Sequence, residues 1–212
     1  MRHLLLILAV IACARPSAAQ TMDAQLLAIE DRWAAIRYEM RDKTAKLKAS
    51  QDLITDAAKV AAGFPGKAEP LVWHAMALLT EAEVRNNYSA LGHAKEARRL
   101  VEQAEAIDAT VLGGMIQTTL GMMYYEMPGW PLGFGDKSRA QDYLKRALDI
   151  DPAAKDNNYF FGDYLVTTGR GRDAVPFLAQ AAAVPIRAGH ERADKGRLAD
   201  IQESLDKARK AR

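Results

Sequence analysis

Beyond residue 20 the apolar positions recur at intervals of three and four and show no sustained alternation, so the pattern predicts helices and no strand. The first predicted helix runs from about Asp23 to Lys48, with Leu26, Leu27, Ile29, Trp33, Ile36, Tyr38 and Met40 on its buried side. A second, near Gln51 to Ala62, stops at Gly63-Phe64-Pro65-Gly66, a cluster suited to a C-cap and turn. A third begins after Pro70 and carries Trp73, Met76 and Ala77; its partner carries Ala97, Val101 and Ala104. The last predicted helix, from about His190 to Arg212, is polar and reads as a solubilising cap.

Two stretches of this pattern share one spacing. Leu120-Gly121-x2-Tyr124 precedes Ala140-x3-Leu144-x2-Ala147, and Phe161-Gly162-x2-Leu165 precedes Ala174-x3-Leu178-x2-Ala181, 34 residues from Ala140 to Ala174. Large and small positions in that order over a helix-turn-helix resemble the tetratricopeptide repeat (TPR). Such a unit cannot bury its own apolar face, so units stack into a solenoid with a concave side. The two small residues of a repeat lie 12 apart at Gly162 and Ala174, 19 apart at Gly121 and Ala140, and 20 apart at Ala77 and Ala97. About eight residues are therefore inserted around Asn86 to Gly92 and about seven in Glu126 to Gly135. Trp33-x2-Ile36 followed by Ala49-x3-Leu53 is a degraded version of the repeat, as terminal units often are. The resulting expectation is all-α: a TPR-like solenoid of antiparallel helix pairs, stacked right-handedly, with an aromatic loop insertion and a C-terminal capping helix. Its divisions are residues 1–19 (signal peptide), 20–66 (degenerate pair), 67–188 (three pairs) and 189–212 (cap).

The first residues read as an export signal. Met1-Arg2-His3 is basic, Leu4 to Ala12 is apolar but short, and Ser17-Ala18-Ala19 offers small residues before Gln20. This implies a periplasmic, secreted product. The alternative is processing at Cys13, because Val10-Ile11-Ala12-Cys13 resembles a lipobox; an acylated Cys13 would anchor the chain on a membrane. Cys13 is the single cysteine, so the exported body is expected to rely on packing without a disulfide.

Charge and chemistry narrow the functional classes. Lys and Arg number 29 against 27 acids, a net +2, with Arg2 and Arg15 ahead of the expected cleavage point. A balanced, intermixed surface gives no concentrated basic face for nucleic acid, and the basic end Lys207, Arg209, Lys210 and Arg212 fits a solvated helix terminus. His74, His93 and His190 lack ligand spacing, so no metal site is expected. Nucleophile-elbow and zinc-protease motifs are absent, as is the phosphate-binding G-x-x-x-x-G-K-[ST]: Asp136 interrupts Gly135 and Lys137-Ser138. Asp136 reads instead as the N-cap of the following helix. The chain is thus expected to be no enzyme and to use no cofactor.

The insertion is the distinctive segment. Met127-Pro128-Gly129-Trp130-Pro131-Leu132-Gly133-Phe134-Gly135 sets large apolar residues among prolines and glycines. Its side chains either tuck over the helix ends as a lid or line a binding face. The binding candidates are Tyr124, Tyr125, Trp130, Leu132 and Phe134, with Tyr159 and Phe160 from the next repeat. With the preceding Leu120 to Glu126 and with Asn158 to Asp163, this loop resembles small exported TPR proteins of Gram-negative bacteria, similar to the TPR component (TatT type) of periplasmic TRAP transporters. That resemblance spans residues 69–185. It implies a periplasmic helical solenoid, no catalysis, and an oligomer beside a substrate-binding partner. The functional expectation is a non-catalytic interaction module that binds a peptide, a protein partner or an apolar ligand on its concave face. A ligand-holding accessory role in TRAP-type uptake is the alternative, and a homo-oligomer is compatible with either.

Overall fold

A computed structural model of the chain describes residues 21–85 and 90–210; the export signal and Cys13 lie outside the described residues. Among these residues the chain is helical and holds no strand. Nine α-helices follow in order: α1 (Met22–Ala34), α2 (Lys43–Gly63), α3 (Glu69–Arg85), α4 (Ala90–Ile107), α5 (Met115–Glu126), α6 (Lys137–Ile150), α7 (Lys155–Thr167), α8 (Gly171–Ala183) and α9 (Glu191–Lys210). A π-helical turn, Ala35–Glu39, extends α1, and a 3₁₀ turn, Val111–Gly114, leads into α5. Helices pack as sequential pairs, α1 with α2 through α7 with α8, and α9 lies against α8.

The repeat assignment is visible in the packing. A Cβ on Gly121 would stand 2.6 Å from Leu144 Cγ, and one on Gly162 would stand 2.6 Å from Leu178 Cγ. The two repeats thus nest in the same way, a leucine of the second helix resting on the bare backbone of the first. Ala140, Ala147, Ala174 and Ala181 are fully buried on the facing helices. Larger residues there would push the helices apart.

Three element boundaries differ from the sequence pattern. The predicted helix through Lys48 ends earlier: the π turn closes at Glu39, Met40 is extended, and the Asp42 side chain accepts from Ala45 N at 2.8 Å to start α2. A non-helical break of three residues, Met40 to Asp42, lets α1 and α2 fold against each other, so Gln51 lies well inside α2. The insertion near Asn86 is absorbed into longer helices: α3 and α4 have 17 and 18 residues against 13 each in α7 and α8, and residues 86–89 lie outside the described set. The clamp across that connection is Glu81, fully buried on α3, which accepts from Arg85 and meets the ring of His93 on α4. Finally, the tight 3₁₀ turn places Leu112, Gly113 and Gly114 at positive φ. The buried Asn157 side chain fastens it, with Nδ2 donating to the carbonyls of Gly113 at 2.9 Å, Ala147 at 2.8 Å and Asp151 at 2.9 Å.

The last helix does more than cover α8. It also meets α1 and the π turn, so the inner helices α1, α3, α5, α7 and α9 form a ring whose ends touch, its α3–α5 step made through Met76 and Thr119. Tyr38 lies on Gly196, where an added Cβ would stand 2.1 Å from the ring, and its hydroxyl donates to Asp200 at 3.0 Å. His190 meets Glu30 at 2.9 Å, and Arg192 bonds Asp31 and Glu39. The N-terminal turn of α9 is fixed by Asp194, buried between Arg187, at 2.7 Å, and Lys155, at 3.1 Å. Burial works against that carboxylate, but hydrogen bonds from Arg187 and Lys155 overcome it and hold its pKa down at about 2.

Two expectations follow from this packing. Gly121→Ala and Gly162→Ala each cost about 1–3 kcal/mol, a fall in Tm of several degrees. Gly92→Ala, on α4 where a Cβ meets nothing within 4 Å, raises Tm instead. Equal shifts in thermal unfolding for all three would contradict the nesting. Separately, the Asp194 contribution is complete above its usual 3.8 and is lost as pH falls to about 2. Asp194→Asn strands the buried Lys155 and lowers unfolding stability at pH 7 by about 3–5 kcal/mol, with a smaller loss in acid.

Candidate functional site

The inner helices line a half-open cavity of about 640 Å³. Trp33 and Arg37 reach it from α1 and the π turn, Met76 and Glu83 from α3, and Met122 and Glu126 from α5. Tyr159 and Phe160 enter from α7 and Arg197 from α9, while Ala90, Leu91 and Ala94 of α4 form one rim. These positions converge because each inner helix turns one face outward onto its partner and the opposite face toward the ring's interior.

The wall is apolar with charged groups set in it. Arg197, almost wholly buried, donates to Asp156 at 2.7 Å and Asp200 at 3.0 Å. Its guanidinium also lies 4.6 Å from the centre of the Tyr159 ring and 4.7 Å from that of Phe160. Arg37 donates to Glu83 at 2.5 Å and stands 3.8 Å from Asp200. Arg37 Nε has no acceptor among the described residues, and being sealed from solvent it offers nothing to an occupant. Asp163, behind the wall, accepts from Tyr125 at 2.9 Å and Ser204 at 2.8 Å.

Glu126 faces the cavity with no hydrogen-bond or ion-pair partner among the described residues. Glu126 is a solvent-exposed residue at the cavity's mouth, with protein around it on several sides. Burial, then the nearby charges of Asp163 and Glu83, push its carboxyl up to about 7, with Arg37 and Arg197 opposing. Burial and Asp163 likewise hold the Tyr125 phenol well above its usual range.

The seven candidates part company here. Tyr159 and Phe160 line the cavity. Tyr124 sits in the core, stacked on Tyr143 with centroids 5.6 Å apart, and Tyr125 is buried on Asp163. Phe134 folds back edge-on to Tyr124, with Arg98 over its other side, as a lid would. Trp130 and Leu132 project outward, 90% and 63% exposed. The loop is pinned at its base, where Gly135 N donates to Pro128 O at 2.9 Å and Asp136 N to Tyr124 O at 2.8 Å. A Cβ on Gly135 would collide with Met127 O, which explains that glycine. Asp136 caps α6 by accepting from the backbone of Ser138 and Arg139. Only Met127 and Pro128 of the loop reach the cavity.

Arg37, Glu83, Glu126 and Arg197 escaped sequence reasoning because charged residues on helices ordinarily face water. Their one legible signal was position: Arg37 follows the Trp33-x2-Ile36 repeat, and Glu126 closes the helix of Gly121.

No family model matches the chain, and no curated protein matches it. Among solved structures it is similar to a thermophilic TPR protein of Thermus thermophilus, with 16% identity, a TM-score of 0.54, and coverage of 86% of this chain and 91% of that one. It is also similar to MamA, with 19% identity, a TM-score of 0.41, and coverage of 81% and 95%. The likeness is one of fold. The chain is an all-α, TPR-like solenoid, and among the described residues its last helix meets its first beside the cavity.

Two measurements test this geometry. The Tyr124 hydroxyl is buried without a partner, so Tyr124→Phe leaves stability unchanged or raises it by up to ~1 kcal/mol in chemical denaturation. A loss above that would show that the hydroxyl is bonded. Glu126 changes from the usual 4.5 to about 7 on folding, so the native state takes up a proton in that window and stability falls as pH rises through it. Glu126→Gln removes this decline. A Tm difference between variant and wild type that stays constant from pH 4.5 to 8 contradicts the assignment.

Proposed function

We propose that this chain is an exported, non-catalytic binding module that holds a small organic molecule inside its helical ring. The observation that supports this most is the cavity, whose 640 Å³ falls within the range of small-molecule sites, about 300–1,000 Å³. Its lining is mainly apolar, and its methionines, Met76, Met122 and Met127, adapt to an occupant's shape. Contact of α9 with α1 interrupts the long open groove that an extended peptide would need. Glu126 is a single perturbed carboxyl without a nucleophile beside it. The lining hydroxyl of Thr80 is spent on Met76 O at 2.8 Å, so a holding role fits better than a reacting one.

A second reading concerns a protein partner, and Trp130 with Leu132 favours it. Two large apolar side chains held out on a pinned loop fit a contact surface, either for a second copy or for the substrate-binding partner of a TRAP-type uptake system. The two readings combine as a ligand-holding accessory component that presents its loop to that partner. In this reading the module is released into the periplasm after cleavage behind Ala19, which the apolar run Leu4 to Ala12 and the small residues Ser17 to Ala19 support, with lipid anchoring at Cys13 as the other route. Intact mass of the mature protein separates them, since a diacylglyceryl adduct on Cys13 selects the membrane.

Native mass spectrometry of protein isolated from periplasm tests the first reading. A retained adduct that disappears after denaturation and refolding is expected. Absence of any adduct, together with no thermal shift across a panel of small organic molecules, overturns it. Trp130→Ala with Leu132→Ala tests the second: partner capture is expected to fall at least tenfold while the fold and cavity binding persist.

A further inference from the structure

The cavity's charges identify the kind of molecule it suits. Two guanidiniums face it, and both are already committed: Arg197 to Asp156 and Asp200, Arg37 to Glu83 with Asp200 beyond. Two further carboxylates remain. Asp163, behind the wall, accepts from the hydroxyls of Tyr125 and Ser204 and lies near the Lys207 ammonium, whereas Glu126 has no hydrogen-bond or ion-pair partner among the described residues while opening directly into the cavity. Among the charged side chains that line the cavity, Arg37, Glu83 and Arg197 are thus paired, and the carboxylate left without a partner among the described residues is Glu126, on α5. The Nη2 atoms of both arginines make no hydrogen bond among the described residues, Arg37 Nη2 standing 3.8 Å from Asp200, but Glu83, Asp156 and Asp200 already neutralise the two guanidiniums, and Arg37 Nε is sealed from the cavity. A cationic guest meets a free acceptor.

The remaining wall suits such a guest. Trp33, Tyr159 and Phe160 present aromatic surface, of which Arg197 covers part of the latter two and leaves Trp33, with no cation over it, for a guest's charge. Met76 and Met122 provide a soft apolar bed beside them. We infer that the cavity binds an organic cation with an apolar body, its ammonium on Glu126 and its hydrocarbon against the aromatic and methionine wall. This rests on the small-molecule reading above and deepens it.

The groups facing Glu126 determine the pH dependence. Asp163 on α7 and Glu83 on α3 repel its charge, Arg37 of the π turn and Arg197 of α9 favour it, and burial disfavours it most. With that carboxyl at about 7, it is ionised above neutrality and loses its charge in mild acid. Binding of a permanently charged guest should weaken as pH falls.

Phenyltrimethylammonium, its neutral isostere tert-butylbenzene and the anion benzenesulfonate separate the possibilities. Titration calorimetry on the mature chain at pH 8 is expected to show phenyltrimethylammonium binding at least tenfold more tightly than either of the others. Its affinity should fall about tenfold by pH 5.5. Glu126→Gln should erase both the preference and the pH dependence while leaving tert-butylbenzene binding intact, which also reports that the variant is folded. Equal affinity for the cation and its neutral isostere, preference for benzenesulfonate, or unchanged cation binding in Glu126→Gln each overturns the cation assignment and leaves a binding cavity standing. Failure of all three probes overturns the small-molecule reading as well.

Discussion

Leu144 rests on the backbone of Gly121 and Leu178 on that of Gly162, closer than any side chain on those glycines would permit. Everything else in the molecule depends on that approach. Where helices can come this near, each pair acts as one rigid wedge, and the next pair stacks at a fixed angle because packed interiors leave no slack. The angle accumulates from pair to pair, and the inner helices curve round a common axis. The cavity lies where the inner faces of five helices and one rim of α4 come together.

Electrostatics then decide how the curve ends. A solenoid generally leaves its last helix facing solvent. Here α9 carries Asp194, Arg197 and Asp200 on faces that a polar helix would ordinarily give to water, and each is matched by groups on α1, the π turn or α7. Gly196 takes the Tyr38 ring in the way that Gly121 takes Leu144. The same device, a missing Cβ at a crossing, thus joins both neighbouring helices of a repeat and the two ends of the ring. Buried charges in such a closure contribute little net stability but penalise any wrong register heavily, since a shift would leave them unpaired.

The insertion after α5 illustrates how a loop can be both built and exposed. Gly135 permits the chain to pass over Met127, Asp136 ends it with a helix cap, and Phe134 anchors it on Tyr124. Those constraints use up the loop's inward positions. Trp130 and Leu132 are left on the outside because the helices beneath are already covered, so the apolar surface that looked like part of one site belongs to a separate face.

Helix class, the repeat register and the small crossing residues could be read from the residues alone, because apolar periodicity and the spacing of Gly121, Ala140, Gly162 and Ala174 are local consequences of how two helices touch. The aromatic character of α7 was readable too, and Tyr159 and Phe160 do face the interior. Tertiary structure decided the rest. Whether Tyr124 packs into the core or faces an occupant depends on Tyr143, a residue of the next helix. Whether Arg37, Glu126 and Arg197 meet solvent or one another depends on a closure between segments some 160 residues apart, as from Tyr38 to Asp200 or Glu30 to His190. Periodicity reports which side of a helix is buried; it carries no information about which distant helix does the burying, and that partner is what turns ordinary surface charges into the wall of a site.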